Sequence, residues 1–473
     1  MAVSLVQHQM IPRTRVVLAV ILLAGLALRI GSAVTIPLLD GEAYYWLWSR
    51  NPALSYLDHP PLIAYLIRLT TVFGDDAIWV RLGPLIAGVI TPLALFTLGR
   101  EVFGARAGLI AAAAYQIVPV LSGGGLFTTP EAPLFLWWSL TLLYVRRALW
   151  TQDWWWIPAG IAIGLGMLSK IPMIALPVGI LGFVLTRRRD VLRQAWAYVG
   201  ALIAVALFTP VLMWNVGNGW AGVRFVLRER PQQVPLGLAG LAAIGVEQLA
   251  FALVLFPVLL WMLRPALRVR QDERVAFLLW MTVPTLCLFG AVVMFWGGAH
   301  GYWAGPAYLG LAVLLGGLWP GKAAALAMGA NAALIAYAAL VPLVPWLPAP
   351  PGTVESVAGW REVARRAEEL AAPMPDPVLL AVPVEHFEGA AQLAYYTRRR
   401  RPTTVFPKPF KGSVWPDPAR YPGASVVWVA DAQWDTSARP ERSLARVVER
   451  APLPITMRGR EVRRFRFWTG TLR

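Results

Sequence analysis

Between residues 35 and 62 the chain gathers acids, aromatics and a histidine: Asp40-Gly41-Glu42-Ala43-Tyr44-Tyr45-Trp46-Leu47-Trp48-Ser49-Arg50, then Ser55-Tyr56-Leu57-Asp58-His59-Pro60-Pro61. Two carboxylates within three residues, set where a chain leaves an apolar stretch, suit a general base for a hydroxyl. Low-dielectric surroundings raise a carboxylate's pKa toward neutrality. The same residues suit a helix start, with Asp40 as N-cap, Glu42 in the first turn, and Tyr44, Trp46 and Trp48 in an interfacial aromatic belt. The two readings are compatible. His59 is either a substrate or proton partner or a structural hydrogen-bonding residue ahead of two prolines.

Other polar residues stand out against apolar surroundings. Glu131, in Thr128-Thr129-Pro130-Glu131-Ala132-Pro133, suits directional hydrogen bonds to a substrate, and equally the first turn of a helix. Lys170 lies between two apolar segments, on the side where orientation signals do not require a cation. It is therefore a candidate for stabilising negative charge that develops on a substrate. Arg224, Arg228 and Arg230 offer bidentate phosphate contacts, or plain headgroup contacts. Arg29, near the outer end of the first span, is costly in lipid unless paired or snorkelling, and Asp40 or Glu42 is the expected partner. Four scattered histidines and the single Cys287 give no metal-ligand spacing and no disulfide, and the proposed chemistry requires neither metal nor cofactor.

The elements that hold these residues are membrane spans. Of 473 residues 57% are hydrophobic and 15% charged, against roughly 25% charged in ordinary domains. Apolar stretches near 15–34, 79–98, 107–122, 131–149, 154–169, 172–186, 196–214, 240–263, 275–296, 302–319 and 323–346 predict a mainly α, polytopic bundle of about eleven helices. The first stretch lacks a cleavage pattern and reads as a retained anchor, leaving the N-terminus in the cytoplasm. Alternate connections then carry the arginine clusters, at 100–106, 146–147, 187–193 and 264–274, as the positive-inside rule requires. The net charge of +17 follows this distribution, so nucleic acid is a poor fit as a partner. The unusual residues gather on the opposite face, in the first outside loop 35–78 and the connections at 123–130, Lys170, 215–239 and 297–301.

A Pro-Ala-Pro-Pro-Gly linker after Pro348 divides residues 1–348, the membrane part, from 349–473, a small outside α/β domain. A helix is expected at 357–370 and strands at 377–382 and 425–430. The run Arg398 to Arg401 reads as a solvated face or a lipid-headgroup contact.

The run Glu42 to Ser49, with Tyr56-Leu57-Asp58-His59-Pro60-Pro61-Leu62, resembles the opening motif of bacterial GT-C glycosyltransferases related to protein O-mannosyltransferases and lipid A aminoarabinose transferases. The likeness continues in Leu168-Ser169-Lys170, in Pro210 to Arg228, in Tyr302 to Tyr308 and in Gly359-Trp360. It implies a GT-C fold in a bacterial inner membrane with the C-terminal domain in the periplasm. It further implies an inverting, metal-independent transfer from a polyprenyl-phosphate-linked sugar to a hydroxyl or phosphate of a glycolipid, lipid A or protein acceptor. An outward-facing acid acts as base, and Tyr44, Tyr45 and His59 join the basic residues and Glu131 in binding substrate. The family opens its motif with an Asp-Glu pair. Here Gly41 precedes Glu42 and Asp40 stands one residue earlier, so either acid can be the base, with Asp40 slightly preferred. A multi-pass transporter or flippase of a lipid-linked sugar is the rival reading, though no paired internal repeat is visible and the polar residues favour one face over the midplane. An inactive glycolipid-binding relative is the third.

Overall fold

The computed structural model describes residues 11–225, 235–296, 300–319, 321–341, 358–383, 387–406, 414–432, 439–457 and 459–473. Helix α1 (Pro12–Thr35) begins with Pro at its first position, where the missing N–H costs nothing. Two short helices follow, α2 (Asp40–Ser49) and α3 (Leu62–Thr70), so the segment 35–78 is largely helical. The bundle continues with α4 (Leu82–Phe103), α5 (Ala105–Ile117), α6 (Glu131–Trp150), α7 (Trp156–Ser169), α8 (Ala175–Arg187) and α9 (Ala195–Gly217). It is completed by α10 (Gly237–Ala252), α11 (Leu255–Arg268), α12 (Glu273–Phe295), α13 (Gly305–Leu318) and α14 (Lys322–Leu340).

Five of these, α1, α4, α9, α12 and α14, are long and apolar enough to cross a membrane, and the bent pair α10–α11 makes up to six. On α9 the side chains of Leu202, Val205, Leu212, Met213 and Val216 are exposed, an arrangement that suits lipid and not water. Helices α5, α7, α8 and α13 have 13 or 14 residues, about 20 Å each. Short 3-10 turns at Ile171–Ile174 and Gly301–Ala304 precede α8 and α13.

The span expected at 240–263 is not continuous. Its two halves meet at 109°, with Leu253 in a positive-φ conformation. Asn331 of α14 explains how the break is tolerated. Its Nδ2 donates to the carbonyls of Ala252 (2.9 Å) and Ile117 (3.2 Å), and its Oδ1 accepts from the Leu255 amide (3.3 Å). A side chain thus satisfies backbone groups freed inside an apolar bundle, where leaving them unpaired costs several kcal/mol, of order the full desolvation penalty.

Beyond the bundle, α15 (Trp360–Ala371) and α16 (Phe387–Tyr396) pack on a five-stranded sheet of order β2-β1-β3-β5-β4. Strand β1 (Val378–Pro383) is parallel to β2 (Thr403–Phe406) and β3 (Ser425–Asp431), whereas β3, β5 (Arg460–Leu472) and β4 (Leu444–Met457) run antiparallel. The expected helix and both expected strands are present as α15, β1 and β3. The β4–β5 hairpin was not among the expected elements, although Arg464-Phe465-Arg466-Phe467 in β5 alternates polar and apolar residues as a half-buried strand does; β4 is mostly exposed and carries no such pattern. The core on the helix-covered face is continuous with α2 and α3. It includes Trp46, Trp48 and Ile63 together with Val363, Leu393, Leu380 and Phe465.

Helices α7 and α9 approach through glycines. A Cβ on Gly160 would lie 2.1 Å from the Gly200 carbonyl, a distance that no side chain permits. Gly160→Leu is therefore expected to lower the thermal midpoint of the detergent-purified protein by several degrees, whereas Gly329→Ala, which enters open space, is expected to leave it unchanged or raise it slightly. Thermal unfolding of the two variants side by side checks this.

Candidate active site

The motif acids have different surroundings. Asp40 occupies the first helical position of α2, with Leu39 and not Asp40 at the N-cap. Glu42 turns inward and is fully buried. Its Oε1 accepts from Arg81 Nε (2.9 Å) and the Thr128 amide (2.8 Å), and its Oε2 from Arg81 Nη2 (2.5 Å) and the Leu39 amide (2.9 Å). Arg81, also fully buried, spends its remaining donors on the carbonyls of Ala33, Ile36 and Pro37 at 2.7–2.9 Å. One ion pair thus ties the end of α1, the start of α2, the start of α4 and the 123–130 connection together. Arg29, expected to pair with an acid, instead donates Nη1 to Gln116 (2.5 Å) and lies over the Tyr115 ring inside the bundle. The sequence reading overlooked Arg81. Its signal was present, since a basic residue directly before an apolar span on the outer side needs an explanation other than orientation.

Asp40 is half-buried and accepts a 2.7 Å hydrogen bond at Oδ1 from the Gln392 side chain of α16. Tyr44 and Tyr45 follow on α2. Burial, and next the charge of Asp58, push both phenols well above their usual range, so they stay protonated and act as donors. The charge of Asp58 thus acts on both phenols. His59 packs at 6.1 Å from the Tyr45 ring and 6.5 Å from Trp48. Trp48 in turn stacks on Tyr56 at 4.2 Å, and the Tyr56 hydroxyl donates to the carbonyls of Trp48 (2.9 Å) and Asn51 (3.0 Å), which fixes the loop that presents Asp58 and His59.

Lys170 and Glu131 are brought together as a direct ion pair, with Lys170 buried at the end of α7 and Glu131 opening α6. The ammonium also lies 4.8 Å from the Tyr302 ring centroid and 5.6 Å from that of Trp303, an aromatic box suited to a cation. This box is positioned by α10. The Glu247 carboxylate accepts from the Gly301 amide (2.9 Å), and Gln248 donates to the Gly301 carbonyl (3.0 Å) while accepting from Tyr308 (2.8 Å). Tyr45 connects the two halves, since the charges of both Asp58 and Glu131 and the phenol of Tyr302 act on it. Arg224 is exposed on the turn Ala221–Arg224, whose Gly222 lies against the Leu57 carbonyl next to Asp58. Arg228 and Arg230 lie outside the described residues. Among the described residues no group of three His, Cys, Asp or Glu side chains has the geometry of a metal site.

The protein-family model for dolichyl-phosphate-mannose-protein mannosyltransferases matches residues 58–214. The lipid A galacturonosyltransferase RgtD of Rhizobium johnstonii is 28% identical over 349 residues, covering 70% of this chain and 72% of that protein. The fold agrees over nearly its whole length with ArnT of Cupriavidus metallidurans, at TM-score 0.67 and 17% identity over 97% of this chain and 98% of that one. These likenesses agree with the resemblance of the opening motif to GT-C glycosyltransferases. The same ArnT bound to undecaprenyl phosphate matches at TM-score 0.65, with 95% of this chain covered. The mainly helical fold with a small C-terminal sheet, expected from the sequence, is the fold these structures share.

Removing either member of the buried Arg81–Glu42 pair leaves an uncompensated charge in a dry site, which costs about 3–5 kcal/mol. Glu42→Gln and Arg81→Met are each expected to lower the detergent melting temperature strongly, and Arg81→Lys is expected to fail as a replacement because an ammonium cannot reproduce the two-pronged contact. Melting temperatures close to wild type in all three would show that the pair does not hold the site.

Proposed function

We propose that this protein transfers a sugar from undecaprenyl phosphate, or a similar polyprenyl phosphate, to lipid A or a related glycolipid at the periplasmic face of the bacterial inner membrane. The observation that carries the reading is the Lys170–Glu131 ion pair against the Tyr302 and Trp303 rings, together with Tyr45 of α2, which packs against His59 and feels the charges of Asp58 and Glu131. The chain crosses the membrane about eleven times, with its N-terminus in the cytoplasm, residues 1–348 forming the membrane part and 349–473 the periplasmic domain.

Lys170 and His59 lie on the donor side and stabilise the phosphate as the bond to the anomeric carbon breaks and its electrons pass to the phosphate oxygen. Arg224 and, in the adjoining segment, Arg228 and Arg230 add charge for the anionic carrier or the bilayer headgroups. Glu131 holds Lys170 and offers acceptor oxygens to sugar hydroxyls. Tyr44 and Tyr45 act as neutral donors. On the acceptor side a hydroxyl attacks the anomeric carbon from the face opposite the phosphate, inverting it, and gives its proton to a carboxylate. Glu42 is a poor base, because four donors, two of them from a guanidinium, fill its oxygens in a buried site. Asp40 is the base in this reading, half-exposed at the start of α2 and oriented by a neutral amide. Asp58 is the second choice, favoured by the action of its charge on Tyr45, which it shares with Glu131.

Asp40→Asn is expected to reduce sugar release from the carrier by about 10²- to 10⁴-fold, the usual contribution of a general base. The assay uses membranes supplied with undecaprenyl-phosphate-linked aminoarabinose, galacturonate or mannose and lipid A as acceptor. Undiminished activity in Asp40→Asn with loss in Asp58→Asn would move the base to Asp58, and undiminished activity in both would contradict a carboxylate base here. Lys170→Met is expected to weaken undecaprenyl phosphate binding about tenfold or more, measured by competition with the donor.

A further inference from the structure

The sheet domain does more than cap the bundle. Helix α16 lies between the sheet and α2, with Ala390, Ala391, Leu393 and Ala394 in the shared core. From the other side of α16, Gln392 reaches the start of α2, 352 residues away in sequence. Its Nε2 donates both to the Leu38 carbonyl (2.8 Å) and to Asp40 Oδ1 (2.7 Å), and the residue is fully buried. One turn earlier Glu388 acts electrostatically on Tyr44 and Tyr45, and one turn later the Tyr395 hydroxyl donates to the Asp75 carbonyl (2.7 Å) with its ring edge-on to Trp46. Residues three and four apart share one helix face, so a single face of α16 forms a wall of the site.

We infer that Gln392 is a positioning residue that fixes the Asp40 carboxylate, so that the sheet domain sets the geometry of the base. The inference rests on the reading of Asp40 as the base. Its physical content lies in the amide's asymmetry. Both acceptors that Gln392 meets are oxygens, one of them an ionisable carboxylate, so only the NH2 end can face them. Its Oε1 has no hydrogen-bond partner among the described residues, which is the cost of pointing the donors at α2. A buried donor held by a sheet and two helices orients a carboxylate more firmly than solvent would. It adds no charge, so the carboxylate keeps the ability to take a proton. Glutamate at this position would set two carboxylates in contact and favour the protonated form of one of them. Leucine would keep the volume and remove the donor.

The test uses the full-length protein in membranes, with the donor that the wild type turns over and undecaprenyl phosphate as the binding probe. Gln392→Leu is expected to lower kcat about ten- to a hundredfold, the scale of a misplaced reacting group, while undecaprenyl phosphate affinity stays within about twofold. Gln392→Glu is expected to shift the acid limb of the kcat profile to higher pH by about one unit. Combining Gln392→Leu with Asp40→Asn is expected to be no worse than Asp40→Asn alone, because the two act through one group. Wild-type kcat in Gln392→Leu, an unmoved acid limb in Gln392→Glu, or full multiplication of the two defects would each overturn the inference. Asp40→Asn alone separates the two failures. If it keeps full activity the base reading is at fault, and if it is inactive while the Gln392 variants behave as wild type, only the positioning role is lost.

Discussion

The buried pair of Arg81 and Glu42 is the constraint on which the outward face depends. Every hydrogen-bonding position of the two side chains that the geometry describes is filled from a different part of the chain: the end of α1, the start of α2 and the connection before α6. A charge pair this dry contributes little net stability over an apolar replacement, but breaking it is expensive. Its value is registry. It sets where α2 starts, and so where Asp40, Tyr44 and Tyr45 point, relative to the bundle that carries Lys170 and Glu131.

A second layer of positioning comes from outside the bundle. The sheet domain shares its core with α2 and α3, so the site has a membrane floor and a folded roof made by residues far apart in sequence. Polar side chains buried among apolar helices repeat the same logic. Asn331 closes a broken helix, and Glu247 with Gln248 sets the turn that carries Tyr302 and Trp303. In each case a polar side chain within the bundle bonds to backbone groups of another segment, a means of specifying one arrangement in surroundings that offer few other partners.

Much of this was legible in the sequence, for identifiable reasons. Apolar length marked the helices of the bundle, and the motif from Glu42 to Pro61 marked the likeness to GT-C glycosyltransferases. Lys170 was singled out because orientation did not explain it, and it meets Glu131, singled out on separate grounds. What stayed hidden depended on contacts between distant segments. Nothing local says that Arg81 and not Arg29 pairs with Glu42, or that Gln392 reaches Asp40. The break at Leu253 lies four residues before Pro257, which cannot donate to the Leu253 carbonyl, and Asn331 from another helix meets the backbone groups freed there. In the β4–β5 hairpin only β5 carries a strand alternation, at Arg464 to Phe467, whereas β4 is mostly exposed.

The central claim is that the carrier's phosphate sits at the outward recess beside Lys170, within reach of the acid on α2. A cryo-electron microscopy map of the full-length protein in a nanodisc with undecaprenyl phosphate tests it most directly. The account predicts phosphate density between Lys170 and His59, with the lipid chain descending between bundle helices. Phosphate density at the opposite end of the bundle, in the cavity lined by Arg146, Trp150 and Arg274, with the Lys170 recess empty, would contradict it.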